Sequence, residues 1–268
     1  MRKDNDNRAF HNKSGIITLL VFIVMVVTGI NACGYFGIFG EVSWKEEVLL
    51  HDGTKIYVKR WQKRGGVHEP GISSPVGEQS IKFKLPGTQK TIKWRDEYSR
   101  DIGRSNFEML ALHILNSTPY IITKPRLCLS YNKWGRPNPP YVIFKFDGKD
   151  WKRIELAELP LEFKSINMII DTEGEEKSLI GRSILPAQEI KYINSHLTQE
   201  EFKTIIRTPL ERVGCPDLAT NGKGRWVGIG FFKKPSYEEC LAQCKMVFFY
   251  GQHCPCDRLF KTGSKLEK

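Results

Sequence analysis

Five residues near the C-terminus concentrate the chain's capacity for chemistry: Cys240, Cys244, His253, Cys254 and Cys256. Thiolates and imidazoles are zinc ligands, and this set offers more donors than the four a structural zinc takes. The spacing matches no zinc ribbon or finger. The other chemistry open to cysteines is oxidation in pairs. With Cys33 set aside, Cys128 and Cys215 bring the remaining cysteines to an even number, the pattern of disulfides in an exported chain. Cys240 and Cys244 stand four apart on a predicted helix, with Cβ atoms about 5–6 Å apart. A disulfide needs facing Cβ atoms about 4 Å apart, so each looks elsewhere for a partner. Closure within Cys254-Pro255-Cys256 is strained in the same way. The economical solution pairs Cys240 and Cys244 with Cys254, Cys256 or Cys215. Cys128 then ties the β-rich part to this region, or stays buried and free.

No catalytic arrangement accompanies the cysteines. Gly181-Arg-Ser183 lacks the second glycine of a nucleophile elbow. The six histidines are dispersed, and no Gly-rich phosphate loop precedes a helix. No cofactor is expected. His51 reads as a solvated residue beside a turn. A second stretch is built for contact rather than reaction: Tyr131-Asn-Lys-Trp134-Gly-Arg136-Pro-Asn-Pro-Pro-Tyr141. Its prolines pre-order a loop, and Trp134, Arg136 and Tyr141 could form a binding platform of flat rings and a cation. The same residues could equally plug the core from a rigid connection.

Together with Trp44-Lys-Glu-Glu-Val-Leu-Leu-His-Asp-Gly53, this loop resembles a group of uncharacterised exported proteins of Gram-negative bacteria, lipoprotein-like or singly anchored in the membrane. The resemblance covers roughly residues 41 to 160. It implies placement in the envelope and lends no catalytic residue.

Placement also follows from the N-terminus. Ser14 to Gly40 carries no charge and is largely aliphatic, long enough to cross a hydrocarbon core as a helix. Arg2, Lys3, Arg8 and Lys13 precede it, so the tail is expected inside and everything after Gly40 outside. A retained transmembrane helix, a cleaved signal and lipidation at Cys33 share that orientation. Ile30-Asn-Ala-Cys33 resembles a lipoprotein box, with Asn31 a poor fit; the apolar run continuing to Phe39 suits a spanning helix. The body then lies on the periplasmic side.

The remaining elements form an α+β, β-rich chain. After the anchor or lipoprotein-type signal (1–40) comes a β-rich domain (41–160), then a mixed α/β part (161–268) ending in a small disulfide-stapled helical piece. Asp52-Gly53 and Asp147-Gly148 are predicted turns of antiparallel hairpins, flanked by period-two alternation. Ile81–Leu85 and Thr91–Trp94 make another hairpin around Pro86-Gly87, and Phe107–Leu115 pairs across Asn116–Pro119 with Tyr120–Thr123. Asn116-Ser-Thr also matches a glycosylation sequon, a short match that arises by chance. Ile166–Ile170 reads as a strand. Capping boxes at Thr198–Glu201 and Ser236–Glu239 open helices, the first carrying Phe202, Ile205 and Ile206. Asn221-Gly222 turns a further hairpin, with Arg225–Phe232 as its outgoing strand.

The net charge of +11 is spread over Lys59–Arg64, Lys82–Arg95 and the C-terminal lysines. Outside the cytoplasm such a surface suits anionic headgroups or acidic polymers. Nucleic acid is not expected, because no groove-reading motif accompanies the charge. These features point to a non-catalytic envelope protein whose β-rich domain binds a partner protein or envelope polymer. The alternatives are a metal-handling module built on the Cys/His cluster, or a hydrolase without a recognisable motif.

Overall fold

A computed structural model describes residues 40–66, 74–170, 184–248 and 254–260. The proposed anchor, Cys33 and His253 lie outside those residues, and no described helix is long and apolar enough to cross a membrane. Contacts divide the chain into residues 1–41 and 42–268; the second unit holds the fold described below.

Alternation in the sequence becomes two four-stranded antiparallel meanders. The first runs β1 (Glu41–Leu49), β2 (Lys55–Arg64), β3 (Val76–Lys84) and β4 (Thr91–Asp96). The second runs β5 (Phe107–Leu115), β6 (Thr118–Pro125), β7 (Val142–Phe146) and β8 (Trp151–Ile154). Val48, Val58, Ile81, Phe83, Ile92 and Trp94 from the first meet Phe107, Met109, Leu112, Ile121 and Val142 from the second in one core. The outward positions of the first sheet are mostly polar or charged, as an antiparallel sheet with one wet face requires.

The second sheet is apolar on both faces, and a bulge makes this possible. In β5, Met109 pairs with Thr123 and Ala111 with Ile122, leaving Leu110 as the extra residue. The shift puts Leu110 and Ala111 together in a second core beneath Tyr120, Ile122, Tyr141, Ile143, Phe163, Phe202, Ile205 and Ile206.

That second core is closed by irregular chain. Ile166–Ile170, expected as a strand, belongs to no sheet. Side chains satisfy its backbone instead: Asn194 accepts from the Ile170 N–H and donates to the Met168 carbonyl, and Glu46 accepts from the Ile169 N–H. Asn167 works in the other direction, holding Leu112 N–H and carbonyl and the Leu49 carbonyl. The expected helix after Thr198 shrinks to a single 3₁₀ turn, Glu200–Phe202, without a side-chain cap. Ile205 N–H leaves the helical path for Lys164 carbonyl, while Phe202, Ile205 and Ile206 are buried as their apolar character demands.

The helices are α1 (Leu127–Lys133), α2 (Ala187–Ser195), α3 (Tyr237–Phe248) and α4 (Cys256–Phe260). The Ser236–Glu239 box does open α3, with Glu239 N–H donating to Ser236 Oγ. The Asn221 hairpin is short, β9 (Leu218–Thr220) against β10 (Trp226–Gly228), and a 3₁₀ turn replaces its expected continuation to Phe232. Just before α2, Leu185 bonds to Lys45 and Glu47 backbone and covers the free edge of β1.

Gly53 and Gly148 adopt φ of 85° and 104° at their hairpin turns, with open space where a Cβ would stand. Gly53→Val and Gly148→Val should therefore each cost about 1 kcal/mol or more through backbone conformation alone. Urea midpoints should both fall; two unchanged midpoints would contradict the turn geometry.

His113 is fully buried on β5, stacked on Phe163 with Nε2 bonded to the Ser165 carbonyl at 2.9 Å. Burial lowers its pKa to about 4, against the opposing pull of that carbonyl. The native ring stays neutral while the unfolded ring protonates near 6.5, so stability is full above 6.5 and declines as pH falls toward 4. The loss is bounded by about 3 kcal/mol. His113→Gln should flatten this slope, read as the difference between wild-type and variant urea stabilities at pH 7.5 and 4.5. Parallel curves would overturn the assignment.

Candidate functional site

All six cysteines of the described residues are oxidised in pairs: Cys128–Cys215, Cys240–Cys256 and Cys244–Cys254, with Cα separations of 5.2, 5.9 and 5.7 Å. Cys240 and Cys244 share the buried face of α3 and reach forward to Cys256 and Cys254, so α3 is stapled to the C-terminal segment that carries α4, each cysteine of α3 finding its partner outside the helix. In this arrangement the sulfurs of Cys240, Cys244, Cys254 and Cys256 are bonded to one another and offer no thiolate to a metal. Among the described residues no cluster of three or more potential ligands remains.

The proline-rich loop divides its three candidates between different tasks. Arg136, with φ of 55°, donates to the carbonyls of Cys215 and Pro216 and to Asn132 Oδ1. Asn132 itself donates to the Pro216 carbonyl and accepts from Leu218 N–H. These bonds surround the Cys128–Cys215 bridge and fix the C-terminal part to α1. Tyr141 is buried, its hydroxyl donating to the Thr204 carbonyl and accepting from Ile206 N–H. Burial pushes that hydroxyl up to about 12. Neither residue lines the cleft beside Trp134.

Trp134 differs from both. It closes α1 and lines a cleft of about 630 Å³ with Trp94, Phe107, Phe144 and Trp151. Its ring centroid is 4.7 Å from that of Phe107, and its Nε1 donates to Asn106 Oδ1 at 3.1 Å. Trp151 Nε1 donates to the Lys93 carbonyl and ties β8 to the edge of β4. Arg153 lies over Trp134, 5.7 Å from the ring. The cleft is thus an aromatic floor walled on one side by β4, with Lys93, Arg95, Glu97 and Lys133 in its lining.

Two polar groups in it invite a catalytic reading. Asp96 is buried, and burial lifts its carboxyl above the ordinary range, against bonds donated by Asn106, Gln79 and the Phe107 N–H. Oδ1 accepts from Asn106 N and Nδ2, and Oδ2 from Phe107 N and Gln79 Nε2. With both oxygens so occupied, Asp96 clamps β4 to the start of β5. The second group is Ser99, Asp101 and Lys133. Lys133 Nζ donates to Ser99 Oγ at 2.6 Å and Asp101 Oδ1 at 2.8 Å. Burial would raise the Asp101 carboxyl, but the bonds from Lys133 and Ser99 outweigh it and hold it below its usual value. A serine whose lysine is engaged by a carboxylate lacks a general base, so this trio reads as a loop anchor.

The sequence held one signal for Asp96 that went unread: period two puts it on the inward face of β4 with Ile92 and Trp94. An inward carboxylate on a strand demands partners. Ser99, Asp101 and Asn106 carried no comparable signal, because only the fold brings them to Lys133 and Trp134.

If the bridges are complete, thiol titration of the unreduced protein in denaturant should detect Cys33 at most, and reduction should expose six more. Chelator should release none. Thiols appearing on chelation alone would restore the metal reading.

No protein-family model, curated protein or solved structure matches the chain.

Proposed function

We propose that the chain is a non-catalytic envelope protein, anchored by its N-terminal segment, whose extracytoplasmic β-rich domain binds a partner protein or an envelope polymer. The single observation that carries the reading is the pairing of every described cysteine in a disulfide. Such bridges persist in oxidising compartments and are rare in the cytosol. The charge order around the apolar run agrees with that side of the membrane. The contact surface is the cleft beneath Trp134: an aromatic floor supplies area without flexible side chains, and Lys93, Arg95 and Lys133 add charge to its lining. The polar groups that line it are spent on holding loops, which suits recognition better than turnover.

The test has two arms. A reporter active only in the cytoplasm, fused after Lys268, should be silent; strong activity there would sink the placement. Detergent-extracted full-length protein should retain an envelope component that the double variant Trp134→Ala, Trp151→Ala retains at least tenfold less. Equal capture by both would remove the cleft from the proposal.

A further inference from the structure

The outward face of the first sheet carries a row of lysines that the fold does not need. In the register of β2, β3 and β4, Lys59 stands opposite Lys82, and Lys82 opposite Lys93. Adjacent strands lie about 4.8 Å apart, so three like charges form a line across the sheet about 10 Å long. Like charges directly opposite one another destabilise a sheet. Among the described residues none of the three makes an ion pair, whereas the next row is neutralised locally, Arg95 bonding Glu78.

Ordinary explanations cover only part of this row. Lysines protect sheet edges from unwanted pairing, and β4 is an edge, so Lys93 alone could be read that way. Strands β2 and β3 are interior to the sheet order β1-β2-β3-β4, and Lys59 and Lys82 protect no edge. Solvation of an outward face calls for polar residues of mixed sign, not one sign in register. The surface is also shaped: Lys59, Trp61, Ser80, Lys82, Lys93 and Arg95 line a shallow groove of about 410 Å³. Arg95 sits 5.9 Å from the Trp61 ring centroid and forms one wall with it.

We propose that this groove is a binding site for an anionic polysaccharide, whose chain runs across the strands along the Lys59–Lys82–Lys93 row. The cations advance by one strand spacing each, comparable with the advance of one sugar ring in an extended glycan. A linear row in a concave groove matches a linear polyanion, and Trp61 in the wall offers a sugar an apolar face. The proposal deepens the reading above by naming the polymer's chemistry, and it rests on that reading only for where the polymer is met. The groove adjoins the Trp134 cleft and shares Lys93 and Arg95 with it, while Lys59, Trp61, Ser80 and Lys82 line the groove alone.

Dextran sulfate is the probe, with neutral dextran and oligo-dT as comparisons, titrated against the full chain in detergent. The triple variant Lys59→Gln, Lys82→Gln, Lys93→Gln should bind dextran sulfate at least tenfold more weakly at 0.15 M salt, with a salt slope shallower by about two to three. A control of equal charge loss, Lys149→Gln, Lys152→Gln, Lys191→Gln on exposed positions elsewhere, should lose less than threefold. Relief of repulsion should leave the melting temperature of the ladder variant unchanged or raised; if it instead falls, Lys82→Gln alone replaces it, with a proportionate loss expected. Equal losses in both triple variants would reduce the effect to net charge and overturn the site. Oligo-dT binding as tightly as dextran sulfate, or wild type binding neither dextran, would overturn the ligand class. Because binding is read on purified protein, its failure is distinct from a misplaced reporter.

Discussion

A buried ion pair sets the position of everything laid over the first sheet. Glu46 and Arg60 are essentially solvent-free, and their contact is 3.0 Å. Burying two charges costs several kcal/mol per ion, and attraction alone repays this only when the remaining hydrogen-bonding capacity is also used. Here Glu46 accepts from Trp44 Nε1 and from Ile169 N–H as well as from Arg60, while Arg60 donates onward to the Ile169 carbonyl. The Arg60 guanidinium also lies 4.9 Å from the Trp44 ring. Within the pair, Arg60 Nη2 alone is left without a partner among the described residues, and the Ile169 backbone is held by both charges at once. Once Ile169 is placed, Met168 and Ile170 are within reach of Asn194, and α2 follows.

The same logic explains how far the sequence could be read. Hairpins were legible because two local signals coincided, alternation on the arms and Asp-Gly at the turn. At Asp147 the side chain accepts from Lys149 and Asp150 N–H, so the turn is specified within its own residues. Ile166–Ile170 was misread because apolar content matches a strand's, while the satisfaction of its backbone comes from side chains outside it, Asn194 and the distant Glu46. Helix α1 was missed because it has no capping side chain and opens on Leu127 at a φ of 57°. Its place is dictated by Ser130 donating to the Asn106 carbonyl and by the Cys128 bridge, neither visible locally. In the site, the aromatic character of Trp134 could be read directly. The structural duties of Arg136 and Tyr141 depended on residues 201–216, beyond any local window.

Strand β4 shows how little chain is needed to serve two surfaces. Its inward residues build the core and the cleft floor, and its outward ones carry charge. Because it is an edge strand, its backbone is also available, and Trp151 uses the Lys93 carbonyl to close the side of the sandwich. Rigidity on one face thereby supports presentation on the other.

The disulfides also define how mechanical load would travel. The outer loop from Cys240 to Cys256 encloses the inner loop from Cys244 to Cys254. Tension applied at Phe260 crosses at Cys256 to Cys240 and leaves the inner loop slack. Continuing toward the N-terminus, it crosses from Cys215 to Cys128 and bypasses the intervening chain. That bypassed chain contains Trp134, Phe144 and Trp151, three walls of the cleft. A pull between the two ends of the molecule would be carried past those walls by covalent bonds, leaving them unstretched.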